Sequence, residues 1–287
     1  MNLQDGQGAE LVSDLDIEQQ VQGLYTKALD TLAEAANSGA GSHPGLHQLR
    51  GRIYAWQSNM PAAMASYQRH LVLDRNVDRR AVTLKRIAEI HSLLGDHEQA
   101  VENLEAANKL RPEDSGTILQ LAEALLQVNA DQQAIDRYND FLKLVNGEVE
   151  KTVPEPHLVY NGIATAYHGM RKKYEAVDYY TLSLMFDRRQ AVPLTQRGWV
   201  FLEDNIELAI RDFQTAKEYS PDNPHTLIGL ASAYAKSGNR QAAIREVNAA
   251  RPHARAQAVD VGPMAFSLFH NAATVHGRLC EAVLRDP

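Results

Sequence analysis

Residues 81–114 read AVTLKRIAEIHSLLGDHEQAVENLEAANKLRPED, and the order of small and large side chains in this stretch decides the fold. Ala88 and His91 share one helical face, Gly95-Asp96 interrupts, Ala100, Leu104 and Ala107 resume the spacing, and Pro112 ends it. Residues three or four apart lie together on a helix, so the stretch predicts two helices joined by a turn, meeting at small side chains. The arrangement recurs. An alanine followed by an aliphatic residue or Met, with a large apolar residue four positions on, marks Ala63-Tyr67, Ala100-Leu104, Ala134-Tyr138, Ala176-Tyr180, Ala209-Phe213 and Ala243-Val247. These alanines lie 37, 34, 42, 33 and 34 residues apart. Such a period means one supersecondary unit copied along the chain. It directs the functional question to an extended surface, because stacked repeats expose long concave faces.

Twelve residues before each alanine stands another small residue, Gly51, Ala88, Ala122, Ala164 or Ala231, with Gly198 one residue closer in a shortened copy. Tyr54, His91, Leu125, Tyr167, Phe201 and Tyr234 follow three residues later. Turn residues fall between the helices of a pair at Gly95-Asp96, Asn129-Ala130, Asn205 and Gly238-Asn239, while Pro112 and Pro221 fall just beyond the second helix. No stretch alternates with period two, so no strand is expected.

This pattern resembles the tetratricopeptide repeat family, whose units carry small residues at positions 8, 20 and 27, aromatics at 11 and 24, and proline at 32. The copies are set at 44–77, 81–114, 115–148, 157–190, 191–223 and 224–257. Arg75, Asn146 and Arg188 depart from it by replacing the proline, and His70 and Phe141 are large for position 27. Asp78-Arg79-Arg80 and the polar stretch Gly147 to Pro156 are insertions between copies. Residues 1–43 form an N-terminal segment with a capping helix over Asp16 to Ala36, and residues 258–287, with Phe269, Ala272, Ala273 and His276, form a C-terminal capping helix. The resemblance implies an all-α, right-handed α-solenoid superhelix of helix-turn-helix repeats with helical caps, about thirteen to fifteen helices in all. Ala63, Ala88, Ala100, Ala122, Ala134, Ala164, Ala176, Ala209 and Ala243 are its structural small residues, and Pro112 and Pro221 its helix stops.

The net charge of −7 argues against nucleic acid as a partner. A single cysteine, Cys280, makes no internal disulfide, and no apolar run reaches the ~20 residues of a membrane span. A cytoplasmic location follows as the expectation. No phosphate-binding glycine loop, His-Glu-x-x-His or cysteine pair is present, and the eleven histidines are scattered, so no catalytic residue, metal or cofactor is expected.

In the family the first helix of each pair, helix A, lines the concave groove through positions 2, 5, 9, 12 and 13. Carried over, these positions nominate Arg52, Trp56, Lys85, Glu89, Glu123, Asn161, Thr165, Trp199 and Ser232 as a peptide-binding groove. The two-carboxylate clamp of chaperone-binding members is not reproduced, since Glu89, Gln120, Leu158 and Gly162 stand where its polar residues belong. The resemblance thus implies a non-catalytic interaction scaffold, monomeric or weakly self-associating, for a protein or peptide with some basic character, which Glu89 and Glu123 would attract. Alternatives are a self-assembling array, the repeat portion of a larger signalling protein and, last, an enzyme.

Overall fold

The computed structural model describes residues 14–145, 148, 151 and 155–261. Its helices are α1 (Asp14–Asn37), α2 (Pro44–Trp56), α3 (Met60–Leu73), α4 (Val77–Leu94), α5 (His97–Leu110), α6 (Ser115–Gln127), α7 (Asp131–Leu144), α8 (Pro156–Gly169), α9 (Lys173–Phe186), α10 (Ala191–Asp204), α11 (Ile206–Tyr219), α12 (Pro224–Lys236) and α13 (Arg240–Val261). No strand occurs among the described residues. The fold is all-α, a succession of helix pairs in which helices A (α2, α4, α6, α8, α10, α12) alternate with helices B (α3, α5, α7, α9, α11, α13). The chain divides into two compact units, residues 1–120 and 121–287, with the division inside α6. The expected C-terminal capping helix lies, apart from residues 258–261 at the end of α13, outside the described residues.

One hydrogen-bonding device closes the turn in five pairs. The backbone N–H of Asn59, Asp96, Ala130, Lys172 and Asn239 donates to the carbonyl of Tyr54, His91, Leu125, Tyr167 and Tyr234, at 2.8–2.9 Å. This six-to-one bond needs a left-handed residue just before the donor. Gly95 and Gly238 supply it at φ 82° and 83°, but Ser58, Asn129 and Arg171 also adopt φ of 57°, 55° and 59°. The shortened fifth copy omits that residue and turns through Asn205 alone, whose side chain caps α11 by accepting from the Leu208 N–H at 3.1 Å.

The anchor alanines sit where helices A and B cross. Ala63, Ala100, Ala122, Ala134, Ala164, Ala176, Ala209 and Ala243 have 0% of their surface exposed, and Ala88 has 1%. Close approach lets the large residue of helix B reach over two A helices. Phe213 lies against Gly198 of its own pair and Gly229 of the next, where an added Cβ would stand 2.9 and 2.3 Å from its ring. Tyr138 closes in the same way on Gly162 of the following pair, and Tyr67 on Gly51 of its own. Pro112 and Pro221 stand in the exposed turns after α5 and α11.

The insertion Asp78-Arg79-Arg80 becomes an extra first turn of α4, capped by the Asn76 side chain, which accepts from the Arg79 N–H at 3.0 Å. Its arginines hold the buried Asp74: Arg79 donates from Nε and Nη2 at 2.6 and 3.1 Å, and Arg80 donates to the Asp74 carbonyl at 3.2 Å. His70, the large residue at position 27, fills the space behind, with Nδ1 3.0 Å from Thr83 Oγ1 and Nε2 3.0 Å from Asp74 Oδ2. Arg79 holds the Asp74 pKa well below the ordinary carboxylate range. Burial lowers the His70 pKa despite the neighbouring Asp74.

Two predictions follow from this packing. Ala176→Leu overpacks a closed crossing and destabilises the protein by ~1–3 kcal/mol, read by denaturant unfolding. His70 binds a proton less readily folded than unfolded, so its contribution is complete above the unfolded pKa of ~6.5 and is lost as pH falls. His168 and His225, lowered by burial too, act in the same direction. The melting temperature should therefore fall between about pH 7.5 and about pH 5.5, and His70→Gln should flatten that slope.

Candidate functional site

In the first unit, α2 and α4 run side by side over the Tyr67 ring of α3 and leave a cleft of about 220 Å³. Three residues nominated for the groove by position line it, Arg52 and Trp56 from α2 and Glu89 from α4, and Leu93 of α4 joins them. Their spacing of four residues puts each pair on one helix face. Trp56 keeps 56% of its surface exposed yet is held from two directions. Tyr25 of α1 stacks on it at 5.9 Å and 27°, and the Arg52 guanidinium lies 5.1 Å from its ring centre. Glu89 accepts from Arg86 Nη1 at 2.8 Å, so its charge is already partly answered within α4. Lys85, also nominated, turns away to Asp114, 3.3 Å distant, beside the start of α6.

Thr83, His70 and Asp74 place a hydroxyl, an imidazole and a carboxylate in sequence, the set that activates a nucleophile in hydrolases. All three are buried to within 1% of their surface, and Thr83 also donates to the Arg79 carbonyl at 3.0 Å. No substrate reaches them as the chain stands; the group serves the packing. No cluster of three side chains able to hold a metal occurs among the described residues.

In the second unit the nominated residues divide. Glu123 and Thr165 are exposed, and Asn161 is half-buried with its Oδ1 unsatisfied. Crowding around the Glu123 carboxylate raises its pKa by desolvation. Thr165 donates to the Asn161 carbonyl at 2.8 Å. Ser232 is only 5% exposed. Trp199 is half-buried, edge-on to Phe213 at 5.5 Å and packed against Leu227, Ile228 and Ala250. The structure therefore places these last two within helix packing.

A second concavity was not foreseen. Helices α9 and α11, both B helices, flank α10 and leave a groove of about 540 Å³. Leu194 and Phe201 form its floor, with Met185, Leu208 and Tyr219 on its walls. Arg197 is fixed there by a bidentate pair with Asp212, at 2.7 and 2.8 Å, and by a bond to Thr181 Oγ1 at 2.9 Å. Arg188 and Arg211 line it as well. The sequence did carry a sign of it, since Arg188 occupies the place of the repeat's proline.

Helix pairs crossing on small residues, each closed by a left-handed turn, define an all-α helical-repeat protein. Within these repeats, residues 201–260 match the family described as "Tetratricopeptide repeat". Residues 22–159 match the family described as "Bacterial transcriptional activator domain". Among solved structures, "MamA 41-end from Desulfovibrio magneticus RS-1" is 15% identical with a TM-score of 0.55, the match covering 63% of this chain and 96% of that one. Another, "Crystal structure of MamA", is 18% identical with a TM-score of 0.50, covering 60% and 96%. At these identities the likeness is one of fold. No curated protein matches the chain.

Proposed function

We propose that this protein is a non-catalytic interaction scaffold that holds an extended segment of a protein partner along A helices α2 and α4 of its first unit, anchored in the Trp56 cleft. The observation that carries the reading is Trp56 itself, half exposed but fixed by Tyr25 and Arg52. An aromatic already held in place gives contact area at little entropic cost, and tryptophan is enriched among residues that dominate binding. The cleft suits one apolar partner side chain between Trp56 and Leu93. A flanking Lys or Arg can take over Glu89 from Arg86, the form in which a basic preference survives at this cleft. Glu123, Asn161 and Thr165 form a polar surface of their own within the second unit. The reading includes a cytoplasmic location, a monomeric or weakly self-associating state, and neither nucleic acid nor a cofactor as ligand.

A photo-crosslinking residue placed at Leu93, on the cleft rim, tests it in the native cells. Adding Trp56→Ala should lower capture of the partner about tenfold without changing thermal unfolding. Full capture by the folded variant overturns the reading.

The match over residues 22–159 favours a second, narrower reading, in which the scaffold serves transcriptional control and its partner belongs to a transcriptional regulator. Transcript profiles of cells carrying Trp56→Ala distinguish it: a changed, limited set of genes supports this reading, and an unchanged profile rejects it.

A further inference from the structure

We infer that the groove between α9 and α11 is a second docking site, built for an acidic segment of a partner with apolar side chains between its carboxylates. The argument rests on charge left over after internal pairing. Three arginines and one carboxylate line the groove, and Arg197 and Asp212 consume each other in a bidentate pair. Arg188 and Arg211 remain, both exposed and without an ion pair among the described residues. Two unanswered guanidiniums beside one groove, in a chain of net charge −7, make this a local positive surface on an acidic protein.

The rest of the lining decides between kinds of anion. Met185 is 72% exposed on α9, and Leu208 and Tyr219 on α11 are exposed as well, so an apolar strip runs through the cationic lining. Phosphate-dominated ligands draw their affinity from many basic contacts and gain nothing from such a strip. A peptide fits both elements: carboxylates pair in fork geometry with Arg188 and Arg211, and a Leu or Phe between them covers Phe201 and Met185. Arg197 belongs to the scaffold. Its bonds to Asp212 and Thr181 join three helices and hold the floor rigid.

The site is independent of the Trp56 cleft, since all of its residues belong to the second unit. The test uses the full chain and a fluorescent peptide composed of Asp, Glu, Leu and Phe, read by anisotropy. Its counterpart with Lys and Arg for the acids, and a labelled oligothymidylate, serve as controls. Binding of the acidic peptide should weaken about tenfold or more in Arg188→Glu/Arg211→Glu, and should fall as salt rises. Leu208→Ser should weaken it too, whereas Trp56→Ala should leave it unchanged. Circular dichroism melts confirm that each variant is folded.

Failure of the parent protein to bind the peptide overturns the inference, as does full affinity in the folded double variant. Oligothymidylate binding that is stronger and lost in the same variant assigns the groove to nucleic acid and overturns the peptide reading. Sensitivity to Trp56→Ala moves the peptide to the first unit. That outcome sinks this inference while leaving the proposed function standing.

Discussion

Everything in this fold depends on how closely the two helices of a pair approach. That distance is set by alanine or glycine at two points, one on each helix, and the anchor alanines have no exposed surface at all. Close crossing is what gives the next side chain along helix B its reach. Phe213 spans Gly198 and Gly229, and Tyr138 reaches Gly162, so these two side chains tie a helix B to the pair that follows. The repeat is therefore a chain of nearest-neighbour contacts, with small residues as receivers and aromatics as connectors. The cost is carried in the turns. Ser58, Asn129 and Arg171 hold left-handed backbone because the six-to-one hydrogen bond requires it, a conformation that disfavours a side chain by roughly 1–2 kcal/mol.

The period of 34 made the all-α repeat fold legible, because small and large residues recur in phase and no local feature contradicts them. Features that depend on what surrounds a residue were not legible. Asp78-Arg79-Arg80 read as an insertion, yet its arginines have a buried carboxylate, Asp74, to hold, and the segment continues α4 as one more helical turn. His70 read as a residue too large for its place. It fits because Thr83 and Asp74 meet its two ring nitrogens. Left-handed turns at Ser58 and Arg171 were hidden because glycine, their usual mark, is absent there.

The candidate site shows the same division. Positions 9 and 13 of the first two copies converge at one cleft, because α2 and α4 both line it. Position alone did not tell which nominated residues stay available. Ser232 is buried, Trp199 lies against Phe213, Lys85 faces Asp114, and Glu89 faces Arg86. Each is settled by a neighbour distant in sequence or by a choice among rotamers, neither of which a repeat register contains. The groove between α9 and α11 was invisible for a further reason. Its lining comes from three helices, and its charge depends on which arginine finds a carboxylate.

Net charge is consequently a poor guide to what this surface recognises. The chain carries 36 acidic against 29 basic side chains, yet many of them answer one another across neighbouring helices. Lys217 with Glu246 and Arg197 with Asp212 are such pairs, each locking two elements of one unit. These two pairs are half-buried or better, and the geometry commits them to the fold. Under the proposed function, recognition falls to the groups that packing leaves over. In the first unit these are an aromatic fixed in place and a carboxylate with one competing partner; in the second they are two guanidiniums beside an apolar strip. Tyr67, Tyr138, Tyr180 and Phe213, the aromatic connectors at position 24, are buried in the packing, so the surface left for ligands comes mainly from residues between them. One stacking rule thus leaves two surfaces, on helices A and on helices B, and local substitutions such as Arg188 for proline give each its own chemistry.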